Sequence, residues 1–174
     1  MVLVALAGLR AALTDSGPFA GELAAVKAAS HDDSDVAAAL RPLAAAAATG
    51  IPSTALLAER FNTQTAPRIF SSAEATAPAS DANWGARILA RIRALVVVHR
   101  IDGGDPTETA VAHAQRALAT GDLAAAVAAV TALSGAPAEA ASAWLALAQQ
   151  RLAAEDALAK LTQQLATHVA GAGH

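Results

Sequence analysis

Apolar residues recur along this chain at helical spacing and are cut by short polar turns. Leu3, Leu6, Leu9 and Leu13 share one helical face, and Asp15-Ser16-Gly17-Pro18 ends that helix. Pro18 suits the first turn of a second helix to about Ala29, with Phe19, Leu23 and Val26 inward. His31-Asp32-Asp33-Ser34-Asp35 carries N-cap chemistry for a third helix to about Thr49. Pro42 is expected to kink or divide that helix, and Gly50 to cap its C-terminus. Ser53 caps a fourth helix carrying Leu56, Leu57, Arg60 and Phe61. Pro67 is expected to disturb it, and Ile69-Phe70 are its last large apolar residues. Ser71 to Asn83, rich in Ser, Ala, Thr and Pro, is the best linker candidate.

Trp84 to about Val98 reads as a helix, followed by a loop from Ile101 to Pro106. Asp105 caps the next helix, with Pro106 at its first position and Glu108 at its third. That helix ends near Thr120-Gly121; Asp122 caps another, which ends at Ser134-Gly135. Pro137 opens a long last helix to about Val169, and the Gly171–His174 tail is expected to fray. The pattern divides into three stretches. Residues 1–49 are N-terminal helices, 50–83 a helix plus a flexible linker, and 84–174 a basic helix plus a C-terminal helical bundle. The two helices around Gly121-Asp122 form a small-residue hairpin of tetratricopeptide character, weakly echoed at Leu9 to Phe19.

Composition strengthens the all-α reading. Of 174 residues, 55 % are hydrophobic but only 3 % aromatic, and most of the apolar content is alanine. Alanine is the best helix former, whereas pleated sheets draw on β-branched and aromatic side chains. The expected architecture is therefore a set of helical hairpins or a bundle with a long C-terminal helix. A net charge of −3 disfavours a general nucleic-acid binder. With no cysteine, disulfides, thiolate nucleophiles and cysteine-bound metals are excluded. No apolar run reaches transmembrane length. The chain starts inside a helical pattern, as expected of a segment whose membrane anchor lies elsewhere.

Catalytic signatures do not emerge. There is no phosphate-binding glycine loop, Gly-x-Ser-x-Gly, His-Glu-x-x-His or paired-carboxylate motif. His31 with Asp32, Asp33 and Asp35 has metal-ligand chemistry, but an acidic helix start explains the same residues. The expectation is a non-enzyme with no cofactor and no metal.

One segment departs from the acidic average. Trp84 to Arg100 carries Arg87, Arg91, Arg93 and Arg100 and no acid. On a helical wheel Trp84, Ile88, Leu89, Ile92, Leu95 and Val96 cover roughly 140°. Arg87 and Arg91 flank one edge of that arc, Arg93 and Arg100 the other. Such arginines can bury their stems and hold guanidinium groups at phosphates, while a tryptophan suits the headgroup level. This is the form of an interfacial membrane helix drawn to anionic lipid. A core helix with solvent-facing arginines, or a helix docked in a partner's groove, fits the same pattern. Arg60-Phe61 is a smaller pair of this type, and it reads first as a core phenylalanine beside a surface arginine.

The order of these features resembles a known family. Leu57-Ala58-Glu59-Arg60-Phe61 precedes the basic helix; an Asp-Pro loop, the Gly121-Asp122-Leu123 hairpin, Ala141-x-x-Trp144-Leu145 and a long helix follow. This resembles the C-terminal region of the mitofilin family, over about Gly50 to Val169, and most closely its alanine-rich alphaproteobacterial members. The resemblance implies a membrane-shaping scaffold with an anchor and a coiled coil outside this chain. It implies a place at the periplasmic face of the bacterial inner membrane. It further implies anionic lipids as partners, a homodimer or higher homo-oligomer, and contact with an outer-membrane barrel-assembly protein. Arg60 and Phe61 match an Arg-Phe pair of the family's lipid-binding region, and Trp84, Arg87, Ile88, Arg91, Ile92, Arg93 and Leu95 fall on the basic helix beyond it. A tetratricopeptide-like protein-interaction module is the alternative reading.

Overall fold

The computed structural model describes residues 2–30, 33–76 and 105–171, and the described residues are all-α with no strand. Helix α1 (Val2–Thr14) buries Leu6, Leu9 and Leu13. Beyond it Ser16 turns the chain with φ 60. Helix α2 (Ala20–Ala29) starts two residues later than Pro18 suggests. The reason is tertiary: the Phe19 N–H donates to the Ala47 carbonyl at 2.8 Å, which holds Phe19 outside helical geometry as the N-cap.

Helix α3 (Ser34–Ala44) begins on Asp33, whose carboxylate accepts the Asp35 N–H at 2.8 Å. Pro42 does not divide it. Both Pro42 and Ala38, whose carbonyl loses a donor to the proline, lie on the exposed side, where water can serve instead. The helix stops at Ala44, short of Thr49, in a tight turn that buries Ala46, Ala47 and Ile51. Gly50, at φ +83, closes it.

Helix α4 (Thr54–Arg60) is capped by Ser53, whose hydroxyl accepts the Leu56 N–H at 3.3 Å. It passes without a break into a π-turn, Phe61–Thr65, and then into helix α5 (Ala66–Thr76). Pro67 therefore does not end the helix. The wider turn stands where the proline ring would crowd the preceding carbonyls of a regular helix. It also corrects the register. Phe61 and Ile69 are eight residues apart, about 80° out of line in a regular helix. One residue absorbed by the π-turn returns both to the core, where each is fully buried. The stretch expected as linker is helical as far as Thr76.

Helix α6 (Pro106–Ala119) starts on Asp105, which accepts the Thr107 N–H at 2.9 Å. Its end is a Schellman closure: the Gly121 N–H donates to the Leu118 carbonyl and the Asp122 N–H to the Ala117 carbonyl, with Gly121 at φ +79. Asp122 then caps helix α7 (Leu123–Thr131) through the Ala125 N–H at 2.9 Å. Helix α8 (Ala136–Gly171) follows Gly135 at φ +63.

Two apolar cores result, and α8 is common to both. The first gathers α1, α2, α3 and the turn after α3 onto Ala154, Ala157, Leu158 and Leu161. The second gathers α4, the π-turn, α5, α6 and α7 onto Ala141, Trp144 and Ala148. Alanines at the contact positions let the helices approach closely.

Candidate functional site

The Arg60-Phe61 pair sits at the junction of α4 and the π-turn. Phe61 is fully buried, its ring 4.8 Å from that of Trp144 at an interplanar angle of 59°. That tilted arrangement is favourable for two aromatic quadrupoles. The Trp144 indole N–H donates to the Leu57 carbonyl at 2.9 Å, so the one polar atom of this buried side chain is satisfied. The last carbonyls of α4, leading into the widened turn, accept hydroxyls from it. Thr63 donates its hydroxyl to Glu59 at 2.8 Å, and Thr65 donates to Arg60 at 3.5 Å.

This placement corrects the expectation for Phe61. A phenylalanine with no exposed surface, held between Leu57, Ile69 and Trp144, is a packing residue in this fold and does not present its ring to lipid. Arg60 next to it is half-exposed. Asn62, Thr63 and Gln64 complete the outer side of the π-turn, and the Gln115 amide of α6 donates to the Asn62 carbonyl oxygen at 3.2 Å.

The other residues of the expected lipid-binding set, Trp84, Arg87, Ile88, Arg91, Ile92, Arg93 and Leu95, lie outside the described residues. What the structure does show is where their segment is attached. It joins Thr76, at the end of α5, to Asp105, at the start of α6, and those two helices pack on each other while α5 also packs on α8. His31 and Asp32 are outside the described residues too, while Asp33 and Asp35 take part in the α3 cap.

Two contributors escaped the reading of the sequence. Trp144 stood out there only as part of a motif, yet it is the partner that buries Phe61. The spacing Ala141, Trp144, Ala148 on one helical face was the available signal. Arg151 lies on α8 between the two cores. Its guanidinium donates to the Leu13 carbonyl at the end of α1 at 2.7 Å and to Glu155 at 2.8 Å. Nothing local in the sequence marks that contact, which spans 138 positions.

No helix among the described residues is long and apolar enough to cross a membrane. No curated protein and no solved structure matches the chain. The family described as mitofilin, a mitochondrial inner membrane protein, matches residues 2–166. The match takes in both cores, including α1–α3 ahead of the Gly50 at which the motif resemblance starts. The chain belongs to the mitofilin family.

Proposed function

We propose that this chain is a non-catalytic scaffold domain that works at an anionic membrane surface and self-associates. The family match carries the proposal. The points at which the basic segment is attached support it. Its two ends leave helices that already pack on each other, and the second core is filled by α4 to α8 alone among the described residues. In this reading the Trp84, Ile88, Ile92 and Leu95 face enters the lipid interface, with Arg87, Arg91 and Arg93 at phosphates. Arg60, half-exposed, adds a fourth cation for lipid, and Phe61 fixes the helix from which it projects. Multiple copies convert a weak single-helix affinity into stable attachment. The domain would stand at the periplasmic face of the inner membrane, with an outer-membrane barrel-assembly protein as a further partner.

Co-sedimentation with phosphatidylglycerol-containing vesicles tests this. The wild-type chain is expected to pellet at low salt and to be released at about 1 M salt, where the Debye length falls to about 3 Å. Arg87→Glu with Arg91→Glu is expected to abolish pelleting while leaving the helical signal unchanged. Wild-type chain that stays in the supernatant at low salt would refute the lipid role. Phe61→Ala is no test, because it removes core packing.

A further inference from the structure

The two cores are joined in an asymmetric way. Helices α1 to α3 pack on one another, and the extensive contact between this unit and the remaining helices is that of α3 on α8. The chain crosses from one core to the other over a short span: Ile51 belongs to the first core and α4 begins at Thr54. Pro52 and Ser53 are thus the hinge. Polar ties that close the unit onto the rest include Arg151 to the Leu13 carbonyl, the Ser53 N–H to the Ser16 hydroxyl at 2.8 Å, and Arg10 to Thr162 at 3.4 Å. Ser16 makes its contact from φ 60, a conformation that costs free energy in any residue but glycine.

The seat on α8 is small: it consists of Ala154, Ala157, Leu158 and Leu161. Beside it, on the outer side of the α3–α8 seam, lies a shallow open groove of about 540 Å³ lined by Asp35, Ala38, Ala39, Lys160, Gln163 and Gln164. A unit held on a small apolar seat and joined by a two-residue hinge has the ingredients of exchange between copies.

We infer that α1–α3 is an exchangeable cover, and that the Ala154–Leu161 stripe of α8 is a docking surface for the α1–α3 unit of a second copy of this chain. The occupant is identified by the structure itself, since the stripe is already filled by that unit in cis. Exchange keeps both cores intact and changes only the path of Pro52-Ser53. Arg151 is the latch. Its bond to the end of α1 holds the closed monomer, and its loss lowers the barrier to opening. The inference rests on the self-association proposed above and gives it a surface.

The chain has no cysteine, which makes a test in trans clean. Chains carrying Arg10→Cys are mixed with chains carrying Thr162→Cys, and a short bis-maleimide is added after incubation. The two positions touch in the closed unit, so a cross-link between different chains reports exchange. A chain with both substitutions, at high dilution, must cross-link within itself. Thr120→Cys in place of Thr162→Cys measures random collision. The trans product is expected well above that control, and Arg151→Met is expected to speed its appearance at least about tenfold, as for loss of a charge-assisted hydrogen bond. Trans product no greater than the collision control overturns the exchange. If sedimentation still shows dimers, self-association stands and only this surface falls; if it shows monomer alone, both fall. Failure of the double variant to link in cis would also overturn the inference, because the seat itself would be wrong.

Discussion

Trp144→Phe isolates the contact on which the second core turns. The substitution keeps a ring against Phe61 but deletes the indole N–H and part of the buried surface. Losing the hydrogen bond to the Leu57 carbonyl costs about 1 kcal/mol net. It is not more, because that carbonyl keeps the backbone N–H of Phe61 as a partner. The void left by the smaller ring adds about 1 kcal/mol at roughly 24 cal/mol per Å³. A loss near 2 kcal/mol lowers the melting temperature by about 4–8 °C for a chain of this size. Urea unfolding followed by circular dichroism gives the free energy, and amide exchange gives its location. Faster exchange is expected in α4, the π-turn and the first half of α8, with α1 to α3 unchanged. A cycle with Phe61→Leu is expected to show coupling of about 0.5–1.5 kcal/mol from the aromatic pair. A loss below about 0.5 kcal/mol, or exchange that quickens equally in both cores, would refute the reasoning.

Two further outcomes follow from backbone geometry and surface charge. Gly50 and Gly121 have nearly equal positive φ, +83 and +79, but a Cβ on Gly50 would lie 2.5 Å from the Ser16 carbonyl oxygen while one on Gly121 meets nothing within 4 Å. Gly121→Ala should therefore cost about 1–2 kcal/mol for its backbone alone, and Gly50→Ala clearly more; equal shifts in the denaturation midpoint would show that the turn yields freely. Lys160→Ala removes an exposed ion pair with Asp156 at 2.7 Å and should change stability by less than about 0.5 kcal/mol, measured in the same urea titration; a larger loss would mean that the α3–α8 seam depends on it.

Local signals made much of this fold legible. Asp105-Pro106, Asp122, Gly121 and Gly135 each act at their own helix ends, so α6, α7 and α8 lie close to their expected limits. The misreadings arise where something beyond the local signal decides the outcome. Pro18 marks a helix start, but the Ala47 carbonyl captures the Phe19 N–H and delays it. Pro67 marks a stop, but the π-turn ahead of it gives the ring room and lets the helix continue. The Arg-Phe pair was visible as a motif, but burial belongs to the assembled core. Only the partner at position 144 decides that Phe61 points inward. The mitofilin resemblance was legible because it lay in the order of rare large residues and turns against an alanine background.

The π-turn has a consequence for how this region tolerates changes in length. In an ordinary stretch of helix, gaining or losing one residue swings every later side chain through about 100° and ruins the buried face. Between Phe61 and Thr65 the helix already holds one residue more than a regular α-turn needs, while Leu57 and Ile69 keep their places on either side. A chain one residue shorter there could close as plain α-helix with its apolar positions still aligned. Relatives of different spacing between the Arg-Phe pair and Ile69 can therefore share this core, and a one-residue gap at that point carries no implication of a different fold.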